Sequence, residues 1–454
     1  MLALAVQSSE RMKLTSFLLS SISMLAVACG TDTEPDPDPA GAAPTYWQDV
    51  EPIFATNCAS CHTAGEIGPF AIDDPEIAAG HASRIAAETA ARRMPPWPPG
   101  GDTPALEHVR SLTDAQIDTI AAWAAAGAPL GDPANPRPHD PPEVIDIGAT
   151  ELGFDLGVDY VPDGSLTDDY RCFLIDLHAA APRMATGFKI TPGNRATVHH
   201  VIVSLFAGTD GAALQALDAE TPDRAGWPCV GGAVPQTVNA NPVGSLGSWV
   251  PGVSAVAFPE GTGQLVPAGA LAVVQMHYNL LGGMAPDRTR VDVALAPPEA
   301  NTTLVRLGGL ALIKRNLQIA ANDPASVHTA SATVQQWRAL RGQQPFPSGK
   351  GYALGAGGHM HLVGHRITIT RSNAGGDTVL LDVPAWSFHW QGQYQYKTPI
   401  ELANSDTLTI RCEYDNSNEH RLALGLDPST PVTWGEGTRD EMCLASVQMV
   451  DRLP

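Results

Sequence analysis

ATVHHVIVSLF, Ala196–Phe206, is the stretch on which the reading of this chain turns. Its β-branched and apolar residues suit a strand packed in a core. Two adjacent histidines fit such a run poorly. Neighbouring strand residues point to opposite faces, so His199 and His200 can reach one common point only at a strand end or a bulge. Similar short runs recur between Gly, Pro, Asn and Asp turns: LAVVQMHYNL (Leu271–Leu280), TRVDVALA (Thr289–Ala296), HRITITR (His365–Arg371), TVLLDV (Thr378–Val383) and DTLTIRCEY (Asp406–Tyr414). The pattern predicts all-β sandwich architecture after Val144. That region is longer than one sandwich needs. Two consecutive β-sandwiches are therefore expected, over residues 147–300 and 301–454, with the boundary near Pro297–Thr303.

Upstream the texture differs. A Pro-rich linker covers residues 131–146, and a second, GTDTEPDPDPAGAAPT, covers 30–45. Between them, residues 46–130 read as a small all-α domain. Its last helix is marked by Ser111/Thr113-Asp114 capping chemistry, an Ala-rich run from Leu112 to Ala126, and a stop at Gly127 and Pro129. This domain holds Cys58-Ala59-Ser60-Cys61-His62. Two thiols at that spacing can bond the vinyl groups of a haem while the next histidine ligates the iron. A disulfide beside a bystander histidine is the alternative. Ile67-Gly68-Pro69 follows, and a proline there can offer its carbonyl to the imidazole N–H. Met94, in the stiff MPPWPPG, is the candidate sixth ligand, with His81 and His108 as competitors. The segment resembles the small class I cytochromes c, which implies one covalently attached haem c.

The first 29 residues read as a lipoprotein-type signal peptide. Arg11 and Lys13 precede an apolar run from Leu14 to Val27, and Ala26-Val27-Ala28-Cys29-Gly30 is similar to a bacterial lipobox. Cys29 would then be lipidated, anchoring a periplasmic or cell-surface protein; an ordinary signal peptide is the alternative. The 454 residues carry a formal charge of -21 with only 27 Lys+Arg, which argues against nucleic acid as a partner. Of seven cysteines, one belongs to the lipobox and two to CASCH. The remaining four, in an oxidising compartment, read as two disulfides.

The β-region also holds Met276-His277-Tyr278, His359-Met360-His361 and Asp440-Glu441-Met442-Cys443. An i, i+2 histidine pair on a strand faces one side. Imidazoles with a thioether select copper, whereas zinc more often takes histidine, carboxylate and water.

In these motifs the chain, from about Leu152 onward, resembles the copper type II ascorbate-dependent monooxygenases that hydroxylate peptidylglycine and dopamine. The resemblance implies two copper ions. His199, His200 and His277 would hold the electron-storing one, and His359, His361 and Met442 the one that binds O2. It implies the disulfides Cys172–Cys229 and Cys412–Cys443, jelly-roll-like sandwiches facing a solvent-filled cleft, and a role for Gln275 in coupling the centres or in packing. The chain departs from the family's pattern in three places. Gly357-Gly358 stand where the peptide-hydroxylating relatives have an arginine, and Ser446 stands where they have a tyrosine. HWQGQYQY (His389–Tyr396) lacks the acidic residue of the amine-hydroxylating relatives. The expected function is O2-dependent hydroxylation of a C–H bond in an unidentified organic substrate. Electrons would come from an external one-electron donor through the fused haem. The alternatives are an electron-transfer or copper-handling lipoprotein without hydroxylase activity, or electron flow from copper out to haem.

Overall fold

The computed structural model describes residues 43–454 apart from 140, 142, 231, 236, 281, 282, 389 and 436. The signal segment, Cys29 and the tether up to residue 42 lie outside the described residues, as does His389. Residues from Ala43 to Pro454 form one compact unit.

The helical part comprises Tyr46–Val50, Glu51–Asn57, Pro75–Gly80, Ala82–Ala90 and Asp114–Ala125. Its ends are set by local chemistry. Asp74 accepts from the backbone N–H groups of Glu76 and Ile77, with Pro75 at the first helical position. Thr113 and Gln116 form a reciprocal capping box at the last helix. That helix stops where Gly127 takes a positive φ of 84°, a conformation glycine adopts without strain. Tyr46, Phe54, Ile120 and Trp123 fill the core. Their polar tips are satisfied: Tyr46 Oη donates to Ile72 O and Trp123 Nε1 to Pro129 O.

After this helical region the chain is mostly antiparallel sheet. One sheet runs, in spatial order, Trp227–Pro228, Asp168–Asp176, Leu271–Asn279, Val198–Phe206, Gly244–Trp249. A second runs Thr150–Asp155, Arg290–Leu295, Arg183–Thr191, Thr262–Val266, Val305–Arg306. The two share one core, in which Val201, Val203 and Val274 of the first meet Phe188, Ile190 and Val293 of the second. Val305–Arg306 still pairs with Thr262–Val266, so the chain leaves this sheet set only at Gly308.

The other two sheets are ordered Gly308–Ile313, Leu444–Val450, Lys350–His359, Gln393–Ala403 and Ser326–Thr333, Thr407–Tyr414, Gly364–Asn373, Gly376–Val383. Thr407–Tyr414 alternates strictly between half-buried and buried positions, the period-2 signature of a strand with one face on a core. That core takes Leu310, Ala356, Val447, Ile367, Leu381 and Ile410 from the two sheets. Disulfides Cys172–Cys229 and Cys412–Cys443 are both formed, one in each sheet set.

The helical domain is stitched to the second sheet set. Glu107 N donates to Gln395 O and Lys397 N to Ala105 O, each at 2.9 Å, around a bridge between Leu106 and Tyr396. Leu106 is buried in the second sheet core. Thr103 Oγ1 donates to Asp382 O at 3.1 Å, and its oxygen accepts from Asp382 N at 2.8 Å. On its other side the domain meets the first sheet set through a Glu66–Arg195 ion pair at 3.3 Å.

Candidate metal centres

Val198–Phe206 and Leu271–Asn279 are neighbours, with His200 opposite His277. The ladder between them slips between Val198 and His200. That irregularity lets two consecutive histidines turn toward one point, as an undistorted strand would not. His199 Nδ1 lies 3.1 Å, and His200 Nδ1 3.2 Å, from His277 Nδ1. Two nitrogens bound to one ion at about 2.0 Å and a tetrahedral angle stand about 3.3 Å apart, so the spacing fits a shared cation. Ligand atoms of all three residues lie within 4.8 Å of one another.

The opposite nitrogen of His277 explains which atom faces the point. His277 Nε2 and Asp168 Oδ1 are 2.8 Å apart, and Asn279 Nδ2 donates to the same carboxylate oxygen at 3.2 Å. A carboxylate accepts only, so Nε2 carries the proton and Nδ1 keeps its lone pair. Burial opposes the charge on Asp168, but the bond to His277, the charges of His277 and His199 and the bond from Asn279 together hold the carboxyl below the usual range. Tyr170 stacks on the His277 ring at 4.0 Å. His200 is held well below the ordinary histidine range by burial and then by the charges of His277, His199 and His359.

His359 closes the strand Lys350–His359, and His361 follows just beyond. Met360 between them is wholly buried in the second core, so the histidines turn outward from it. Their Nε2 atoms are 3.2 Å apart. Each Nδ1 faces an acceptor: Gln391 Oε1 at 2.5 Å for His359 and Asp440 O at 3.1 Å for His361. Both Nε2 lone pairs are thereby left facing one point. Burial and then the charge of His361 push the His359 pKa down to about 4. Met442 is buried and tied to this pair through Glu441. The Glu441 carboxylate accepts from the backbone N–H groups of His361, Val363 and Met442. Burial pushes its pKa up to about 8 against those bonds.

The two sheet sets approach each other at the clusters: burial raises the Tyr170 hydroxyl pKa in the first, the Thr438 side chain of the second lowers it, and His200 feels the charge of His359. Gln275 does not point between them: its Nε2 donates to Cys229 O at 2.7 Å, and the residue is buried. Around the departures from the family pattern, Gly357 pairs with both Gln393 and Ser446. Gln393 Nε2 donates to Ser446 Oγ at 2.6 Å. A β-carbon on Gly358 would press on Ile367 at 2.8 Å. No space remains there for an arginine side chain.

In the helical domain Cys58 and Cys61 are not bonded to each other. His62 Nδ1 is 3.1 Å from the carbonyl of Phe70, not of Pro69. The reason is the preceding turn. Gly68 N donates to Cys61 O at 2.7 Å, and a β-carbon on Gly68 would stand 2.5 Å from that oxygen and 2.7 Å from His62 Nδ1. The backbone must pass directly over the imidazole, and the carbonyl that faces Nδ1 comes two residues later. His62 Nε2 is thereby left as the lone-pair nitrogen. Of the axial candidates, His81 is stacked on Phe70 at 4.0 Å and His108 is bonded to Glu143 at 2.9 Å. Met94 is exposed and lines a cavity of about 220 Å³ with Thr89, Trp97, Leu112 and Ile117.

Sequence reasoning missed Asp168 and Gln391 and gave Glu441 no role of its own. Gln391 had a signal as part of the polar HWQGQYQY stretch, and Glu441 as part of Asp440-Glu441-Met442-Cys443.

Fold and sites together describe a small helical domain carrying Cys58, Cys61 and His62 joined to a β-module whose clustered imidazoles could hold metal ions. The comparisons make it particular. Residues 47–125 match the cytochrome c family. Residues 341–451 match the C-terminal domain of the copper type II ascorbate-dependent monooxygenases. The chain thus carries a cytochrome c domain followed by a copper monooxygenase domain, which implies haem and copper as its cofactors. No curated protein matches it. Among solved structures, a Paenibacillus xanthan lyase is 10% identical over 73% of this chain, with a TM-score of 0.17. This chain spans 29% of that lyase, and so remote a likeness carries no argument about fold or function.

Proposed function

We propose that the protein hydroxylates a C–H bond of an organic substrate with O2, using two copper ions and electrons relayed through its own haem. In this reading residues 46–130 are the cytochrome domain and 147–454 form two jelly-roll-like sandwiches, one per copper, which part just before Gly308 and not at 300. The haem is attached to Cys58 and Cys61, with His62 and Met94 as axial ligands. His199, His200 and His277 hold one copper; His359, His361 and Met442 hold the other. Three imidazoles suit an ion that stores an electron, and two imidazoles with a thioether favour the Cu(I) state that reacts with O2.

The observation that carries the reading is the fixed tautomer of the ligand candidates. His277, His359 and His361 each give one nitrogen to an acceptor and turn the other toward the imidazole nitrogens of their own cluster. A structural histidine has no need of a second nitrogen set against another imidazole nitrogen in a buried site. The protein's part is to hold these lone pairs ready and, through Asp168 and Gln391, to prevent the rings from turning. Copper handling alone would not require two chemically different sites.

The filled space at Gly357, Gly358, Gln393 and Ser446 favours a substrate without a carboxylate anchor, because it offers a neutral hydrogen-bonding pair where a cation would be needed. The two disulfides support an exported protein in an oxidising compartment.

The test is an O2 pulse on copper-loaded protein whose haem has been reduced, followed at the haem absorbance. Rapid haem oxidation that disappears in Met442→Ala is the expected result. Oxidation indifferent to copper and to Met442 would remove the monooxygenase reading.

A further inference from the structure

Two consecutive residues join the cytochrome domain to the second histidine pair. Gln391 accepts from His359 Nδ1. Its neighbour Trp390 is buried, and its indole N–H has no hydrogen-bond partner among the described residues. Over the Trp390 ring, 4.4 Å from its centroid, lies the guanidinium of Arg110. The same group lies 6.0 Å from the ring of Trp97, which packs edge-on against Tyr394. Among the described residues Arg110 has no carboxylate within ion-pair distance, so surface salt-bridging does not account for its place. Gly252 locates the other end. From the position a β-carbon there would take, Arg110 Nη1 is 2.8 Å and Cys61 Sγ 3.2 Å away. The guanidinium therefore lies within about 6 Å of the thiol to which a haem edge would be bonded, and its charge acts on that thiol.

We propose that Arg110, Trp390 and Gln391 form the passage by which an electron leaves the haem edge and enters the His359–His361–Met442 centre. The proposal rests on the copper and haem reading above. In the step, one electron leaves iron(II), which becomes iron(III), and copper(II) becomes copper(I); no bond breaks and no proton is transferred. Electron transfer weakens steeply across gaps in packing. Here the contacts run from cation to indole, along one peptide bond, and through a hydrogen bond to the imidazole. A route to the three-histidine centre exists through Gly252 and Trp249, which lies opposite Val201, the neighbour of His200. It runs along backbone and across a sheet ladder. Trp390 and Gln391 are positioning residues that act through His359.

The experiment uses full-length protein loaded with haem and copper(II), without O2. A radiolytic pulse reduces the haem, and its reoxidation is followed optically. Haem potential and copper EPR spectra are recorded for every variant. Trp390→Leu and Gln391→Leu should each slow reoxidation about tenfold or more with the haem potential unchanged. Trp390→Phe, which keeps a ring under Arg110, should retain most of the rate. A fast phase that survives both Trp390→Leu and Gln391→Leu overturns the route and leaves the copper–haem reading intact. A wild-type haem that copper does not reoxidise at all overturns both.

Discussion

Asp168 shows what a single residue adds to a ligand set. It touches no point where a metal would sit, yet it fixes which nitrogen of His277 turns toward His199 and His200. Asp168→Asn should weaken metal binding at the three-histidine centre about 10- to 100-fold, read by competition titration, with the other centre unaffected. An unchanged affinity would make the bond an ordinary structural one. The buried histidines also set a pH dependence in the metal-free protein. His200, His359 and His361 all have pKa values below the ordinary 6.5. The unfolded chain therefore binds more protons than the folded one over that range. The stability these groups contribute is present above about pH 6.5 and is lost as the pH falls toward 4. Thermal melts of metal-free protein should fall through that window, and copper should shift the fall to lower pH. The ligand candidates themselves were legible in the sequence because each is a short motif: His-His, Met-His, His-x-His and Glu-Met. Their orienting partners were not. Asp168 is 109 positions from His277 and Gln391 is 32 from His359, and only the folded pairing brings them together.

At the scale of the element, the slip beside His199 and the bond between Cys412 and Cys443 do comparable work. Each holds ligand candidates where a regular ladder would scatter them. Cys443 adjoins Met442, so its disulfide anchors the segment that also carries Glu441. Cys412→Ser with Cys443→Ser should cost about 2–5 kcal/mol in denaturant unfolding. It should also loosen copper at the His359–His361 centre more than at the other, which EPR titration of the double variant checks. Equal loosening at both centres would mean that the bond acts only on global stability. The capping box at Thr113 and the strand Thr407–Tyr414 follow from local chemistry, and the order of amino acids alone is enough to read both. The contact of His62 is of another kind. The sequence points to Pro69 and the contact falls at Phe70, because the tight passage of Gly68 over the ring shifts the facing carbonyl along the chain.

For the whole molecule, the sequence divides into a cytochrome and a β-module but does not say how the two meet. The Pro-rich stretch after Leu130 suggests a leash. The meeting instead lies inside the cytochrome domain, where residues 100–107 hydrogen-bond to the second sheet set and bury Leu106 in its core. Leu106→Asp should therefore free the two parts. It would appear as a larger radius of gyration in small-angle scattering and as a lower melting temperature of the β-module, by several degrees. Under the proposed relay, a haem fixed in this way would not shuttle to collect its charge; the reductant would have to come to it. Nor would it serve a neighbour. On that reading a Cys58→Ser/Cys61→Ser variant, mixed with a Met442→Ala variant, should show no recovery of O2 uptake at any concentration, because each molecule would carry its own donor.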